Sequence, residues 1–341
     1  MMAARGLVPL KGHDAVLLLL QLAADSDPAL AKSAGDALDK TPEGVLLAAA
    51  EAPLHPSMLD ALAARYPSRE DVLSRIAANA SASDSTLADV ALRCSEPVTE
   101  IIATNQERML AAPSIIEALY KNKNTRMSTA DRLIELAARN GVELEGIPAF
   151  KYHVEAIAGQ LIPEPTDEPL PTDVAWQEAL SDDGADENAI ERDEVDGTET
   201  LKESYKPLSS KIRDMSASEK IRLSLVGDAA ARAILVRDPN RLVAMAAISS
   251  PSMRDSEAIA VAHSKEVAED ILRYIGNKKE WLRSHELKRA LMFNPKTPIA
   301  ISMNFLSHMR PNDLQTLSRS RNVPNALKTV AKQRLEHKRN G

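Results

Sequence analysis

The sequence predicts an all-α fold: two α-solenoid blocks of short paired helices joined by an acidic disordered linker. Three observations carry that expectation. Apolar residues make up 44% of the 341 residues, yet aromatics are only 3% and glycines number 12. A core of Ala, Leu, Ile and Val favours helix, because strands draw on aromatic and β-branched side chains. Self-similar stretches recur on both sides of residue 161. Charge, finally, is segregated: residues 161–200 carry 14 acidic side chains against one basic, whereas 201–341 carry 26 basic against 14 acidic.

In chain order, the first apolar run is "AVLLLLQLAADSD" (15–27). It resembles an export signal, but His13 and Asp14 abut it, Gln21 interrupts it and no A-x-A site follows, so a buried first helix is expected. It is too short to span a membrane. Next come units opening at Glu43, Glu70 and Thr99, 27 and 29 residues apart, and one at Pro113, 14 further on. Each reads as an apolar helix, a small or polar loop and a second apolar helix.

Within 161–200 the prolines Pro163, Pro165, Pro169 and Pro171 oppose helix, and the carboxylates repel one another with little apolar area to offset ordering. The exception is "DVAWQEAL" (173–180). There Trp176 and Leu180 share a helix face, and Val174, Trp176 and Leu180 form a candidate docking motif.

Beyond it, "ALMFNPKTPIA" (290–300) breaks one helix and restarts another. Leu287, Ala290, Leu291 and Phe293 form an apolar face. Asn294 is expected in the left-handed conformation after a helix end, with Thr297 as the next N-cap and Pro298 in the first turn. Ile299, Ile301, Met303, Phe305 and Leu306 follow as the partner helix. Ser216 and Glu219 read as a capping box. Similar punctuation occurs at 246–260 and 318–331. Helix pairs that cannot bury their faces alone stack on their neighbours.

At "MFNPKTPIAISMNFL" and "EAPLHPSMLDALAARY" the chain resembles the leucine-rich repeat variant family and, more broadly, HEAT-type helical repeats. The likeness covers about 120 residues on each side of the linker. It implies a right-handed stack of short helices presenting an elongated surface. The whole chain is also similar to a set of bacterial helical-repeat proteins, which fixes no activity. Some members of the variant family carry a cysteine-rich iron–sulfur region; with Cys94 alone this chain departs from that pattern. The expected organisation is an N-terminal repeat domain (1–160), the acidic linker (161–205) and a basic C-terminal repeat domain (206–341).

No catalytic, cofactor or metal signature emerges. One cysteine excludes a disulfide framework and points to a reducing compartment, the cytoplasm. The seven histidines lack ligand spacing, and no phosphate-binding glycine loop or nucleophile elbow is present. The carboxylates Glu266, Glu269 and Asp270 read as helix-dipole complements. "NKNTRMST" (122–129) reads as an N-cap at Ser128 or Thr129 rather than an anion site.

The basic side chains carry more. Lys278, Lys279, Arg283, Lys288 and Arg289 surround Trp281, and Arg319, Arg321, Lys328 and Lys332 follow. As a group they are the candidate interaction residues; singly, each reads as a solvated face. The expected function is a non-enzymatic protein-interaction adapter. The alternative is nucleic-acid binding through the basic block, modulated by the acidic linker contacting that block within the chain. An enzyme or ligand sensor has no support beyond "NKNTRMST".

Overall fold

The computed structural model describes residues 2–6, 10, 12–162, 168–181, 190–192, 199–201 and 206–340. It is helical throughout, apart from a ribbon in which β1 (Ile190–Arg192) pairs antiparallel with β2 (Glu199–Leu201), Ile190 opposite Leu201. Contacts divide the chain into two units: Met1–Ile147 with Leu161–Glu168, and Pro148–Gln160 with Pro169–Gly341. Of the segment 161–205 expected to be disordered, residues 163–167, 182–189, 193–198 and 202–205 lie outside the described residues, and the remainder includes a helix at Pro171–Leu180 and the ribbon.

The first unit contains α1 (His13–Ala23), α2 (Pro28–Leu38), α3 (Glu43–Glu51), α4 (Pro56–Arg65), α5 (Glu70–Ala78), α6 (Asp84–Ala91), α7 (Glu96–Ala103), α8 (Gln106–Ala111), α9 (Pro113–Lys121) and α10 (Met127–Arg139). Caps set the starts. Asp27 Oδ1 accepts from Ala29 N with Pro28 in the first turn, and Ser83 Oγ accepts from Thr86 N. The helices are too short to hold alone, so packing carries them. Here α1 packs on α3, α3 on α5, α5 on α7 and α4 on α6, burying Leu46, Ala49, Val72, Ile76, Val98 and Ile102. Ion pairs join residues 24 to 30 apart in sequence: Arg65 to Asp39 (2.6 Å), Arg108 to Asp84 (2.7 Å) and Arg126 to Glu96 (2.6 Å). The expected unit opening at Thr99 begins instead at Glu96, behind Ser95, while those at Glu43, Glu70 and Pro113 fall on helix starts.

The second unit contains α11 (Phe150–Ile157), α12 (Pro171–Leu180), α13 (Lys206–Asp214), α14 (Ala217–Val226), α15 (Ala229–Leu235), α16 (Arg241–Ser249), α17 (Asp255–His263), α18 (Glu269–Asn277), α19 (His285–Phe293), α20 (Ile299–Phe305), α21 (Pro311–Arg319) and α22 (Asn325–Asn340). The first of these, α11, packs on α14 and α16, so residues 148–160 sit with the second unit rather than closing a 1–160 domain. Many helices again meet the one two further on: α14 on α16 on α18, and α13 on α15 on α17 on α19. Gly276 permits one close approach, since a Cβ there would lie 2.7 Å from Ile301 Cγ2. The Ser216–Glu219 capping box is present.

Three turns share one construction. Asn79, Asn122 and Asn294 each follow a nine-residue helix with φ near −80° and ψ near 120°. Asn294 is thus extended, not left-handed. The ring of Pro295 disfavours helical backbone at Asn294. Asn79 and Asn122 take the same angles before Ala80 and Lys123, however, so what the three share is the set of bonds their side chains make. Asn294 Oδ1 accepts from Lys296 N (3.0 Å), and its Nδ2 donates to the carbonyls of Ala262 (2.8 Å) and Ser264 (2.7 Å). Asn79 reaches Ala50 and Ala52, and Asn122 reaches Ala91 and Cys94, in the same way. Each asparagine satisfies orphan carbonyls at the end of an earlier helix while shaping its own turn. Thr297 is not an N-cap: Pro298 holds that place, and the Thr297 hydroxyl is buried without a partner. Phe305 and Leu306 are buried as expected, but Ile299 is exposed.

Candidate interaction surface

The acidic segment places one element on the second unit. In α12 Pro171 opens the helix, and Asp173 Oδ2 accepts from Leu170 N (3.0 Å). Its inward line is Asp173, Trp176 and Ala179, spaced three residues apart as one helix face requires. Trp176 is fully buried, and the Arg222 guanidinium of α14 lies 4.4 Å from its ring centroid. A guanidinium over an indole face is a favourable stacked pair. Lys211 of α13 adds an Nζ donor to the Glu178 carbonyl at 3.4 Å. Of the expected docking motif, Trp176 is inside, Leu180 is half-buried at the rim, and Val174 points outward at 48% exposure.

The basic candidates separate into three groups. Trp281 is 4% exposed, so it is a core residue and not a surface for stacking. Its ring meets Tyr274 edge-on at 6.2 Å, and Lys278 Nζ covers it 3.8 Å from the centroid. The structural reason is positional. Met253, Val267, Trp281 and Val323 all sit four residues past the last residue of a nine-residue helix, and all are buried there. Arg289 is paired, to Asp313 at 3.3 Å, and lies over Phe293; His285 shares Asp313 at 2.9 Å. Lys279, Arg283, Arg319, Arg321 and Lys332 are exposed and Lys288 and Lys328 half-buried, and none forms an ion pair with a described residue. By contrast Lys220, Arg232, Arg241 and Arg273 of the same unit are all paired.

Other candidates resolve into packing. Glu269 holds Arg273 (2.6 Å) and Asp270 holds Arg241 (2.8 Å). In "NKNTRMST", α10 starts at Met127 with Arg126 at the N-cap and no side-chain cap. Ser128 and Thr129 therefore lie in the first turn, where Thr129 Oγ1 donates to Glu100 (2.7 Å), and Arg126 is engaged by Glu96. The Nε and Nη2 of Arg132 in the same helix are buried without hydrogen-bond partners, and burial lowers its pKa. Among the described residues no group of three His, Cys, Asp or Glu is placed to hold a metal, and no helix is long and apolar enough to cross a membrane.

Arg222 and Arg232 had no sequence signal, since each reads as a solvated residue in an apolar helix. Arg222 is buried because α14 is covered by α11 and α12, distant in sequence, and Arg232 because α15 is enclosed by α13, α14, α16 and α17. Arg232 donates twice to the Glu257 carboxylate (2.9 Å each) and once to the Gly227 carbonyl. In comparisons with known proteins, no family model, no curated protein and no solved structure matches this chain.

Proposed function

We propose that the chain is a non-enzymatic adapter built from two α-solenoid units of the HEAT-like or leucine-rich-repeat-variant kind, whose helix faces bind protein partners. The observation that carries this reading is α12: a ten-residue helix with a fully buried tryptophan is seated on the second unit. A surface that takes a short amphipathic helix in cis has the shape and chemistry for protein recognition. The stacking of many helices on the one two further on, with asparagine ties between helix ends, supports a repeat architecture. A buried Cys94 is compatible with a reducing, cytoplasmic setting. Crosslinking of the full chain in its own cells tests the reading. A recurrent partner crosslinked to helix faces supports it, and recovery of the chain alone counts against it.

The unpaired cations favour a second reading, nucleic-acid binding. Lys279, Arg283, Arg319, Arg321 and Lys332 are exposed with no described carboxylate to neutralise them. Each phosphate contact would steepen the salt dependence of binding. Anisotropy of labelled duplex DNA and single-stranded RNA against the full chain, at low and physiological salt, tests it. Micromolar binding that falls with salt and is lost on reversing these charges would place a nucleic acid first. The acidic segment would then compete for the same cations, and its removal would raise affinity.

A further inference from the structure

We propose that the face of the second unit that receives α12 is a recognition site for short acidic helices with a central tryptophan, and that α12 occupies it as a built-in competitor. The proposal deepens the adapter reading and rests on it. The anchor is Arg222, fully buried in the middle of α14 among Ser218, Glu219, Ile221, Leu223 and Ser224. A guanidinium withdrawn from water is costly unless its environment repays the lost hydration. The face of Trp176 provides part of that environment, at 4.4 Å. The indole is therefore matched to a cation beneath it, which an aliphatic side chain in the same place would not be.

The way α12 attaches suits exchange. Its contact line is Asp173, Trp176 and Ala179, while Val174, Gln177 and Glu178 face outward. At ten residues it is, like α14 and α16 of the same unit, shorter than the ~12–15 residues an isolated helix needs to persist in water. Its folding is thus coupled to seating: off the site it loses its helix, and on the site it regains it, which weakens binding and makes release accessible. Charge complementarity names the partner class. This helix belongs to the 161–200 block of net −13, and it sits on the unit containing the 201–341 block of net +12. The partner expected in trans is an acidic amphipathic helix with Trp at its centre, an Asp three residues before it and a small residue three after.

The test uses the full-length chain and a fluorescein-labelled peptide of residues 169–181. Trp176→Ala vacates the site and is expected to bind the peptide with micromolar affinity. Wild type should bind it about 100-fold more weakly, because the tethered copy competes at high effective concentration. A peptide lacking the tryptophan should bind neither. No saturable binding to a Trp176→Ala chain that keeps its helical signal and cooperative melting would overturn the proposal. Should that variant fail to fold, hydrogen exchange of wild type decides: α12 amides exchanging at least about tenfold faster than those of α14 support a removable helix. Equal protection would make α12 an integral part of the fold and sink the idea. Concentration-dependent dimers with Trp176 crosslinked between copies would assign the site to a second chain and also overturn it. Partners crosslinked elsewhere on the helix faces would leave the adapter function standing even if the peptide fails.

Discussion

Asn294 joins two helix ends: its Nδ2 donates to the carbonyl of Ser264, 30 residues back, at 2.7 Å. The same amide reaches Ala262, and Oδ1 holds the Lys296 N–H. Asn294→Ala would leave two buried carbonyls without donors, a loss of about 1–3 kcal/mol. Asn294→Asp keeps the acceptor for Lys296 but turns a carboxylate toward the carbonyls, so it should destabilise at least as much, and more as the pH rises through its titration. Urea denaturation checks both; an Asn294→Ala midpoint equal to wild type would refute the tie.

Arg232 and Glu257 meet at two points inside the second unit, with side chains only 5% and 7% exposed. Removing either partner strands the other charge, and Arg232→Ala or Glu257→Ala should each cost about 3–5 kcal/mol. The double replacement Arg232→Met with Glu257→Leu should recover most of that loss, because no buried charge remains. A double variant no more stable than the singles would mean the pair itself, and not the stranded charge, sets the cost.

Cys94 is buried, and burial pushes its thiol up to about 12. The thiolate is the reactive form, so the native chain should ignore a disulfide-exchange reagent at pH 8 and react fully once unfolded. Rapid labelling of the native protein would show the helix ends around Asn122 to be open.

Asp71 titrates low. Its hydrogen bond from Arg69 holds the carboxyl down to about 2. A folded value below the unfolded one means that its contribution is complete above about pH 4 and is lost as pH falls toward 2. The pair is only half-buried and open to solvent, so the effect on overall stability is small. Carboxyl NMR titration should find a midpoint near that value in wild type and a return to the ordinary carboxylate range in Arg69→Ala.

Helix starts were legible where a cap or proline precedes an apolar run, as at Glu43, Pro113 and Ser216, and at Glu70 from the spacing of the self-similar units. The α12 helix was legible from Trp176 and Leu180, but not which residues face inward: Asp173 and Ala179 are buried, and Val174 is not. Asn294 was read as a backbone device, because only the fold brings the Ala262 and Ser264 carbonyls beside its amide. Trp281, among lysines, reads as a surface residue, yet the turn construction puts that position in the core. The boundary near residue 160 followed composition, whereas α11 joins the second unit because its apolar face meets α14 and α16. Arg222 was invisible for the same reason: burial by distant helices leaves no local pattern.

An adapter must hold a protein partner on its helix faces, and residue-resolved crosslinking of the full-length chain in its own cells at physiological salt addresses that directly. The expected result is one partner, recovered repeatedly, with crosslinks clustered on the helix faces of a single unit. Recovery of the chain alone, or of nucleic acid crosslinked at Lys279, Arg283, Arg319 or Arg321 with no protein, would contradict it.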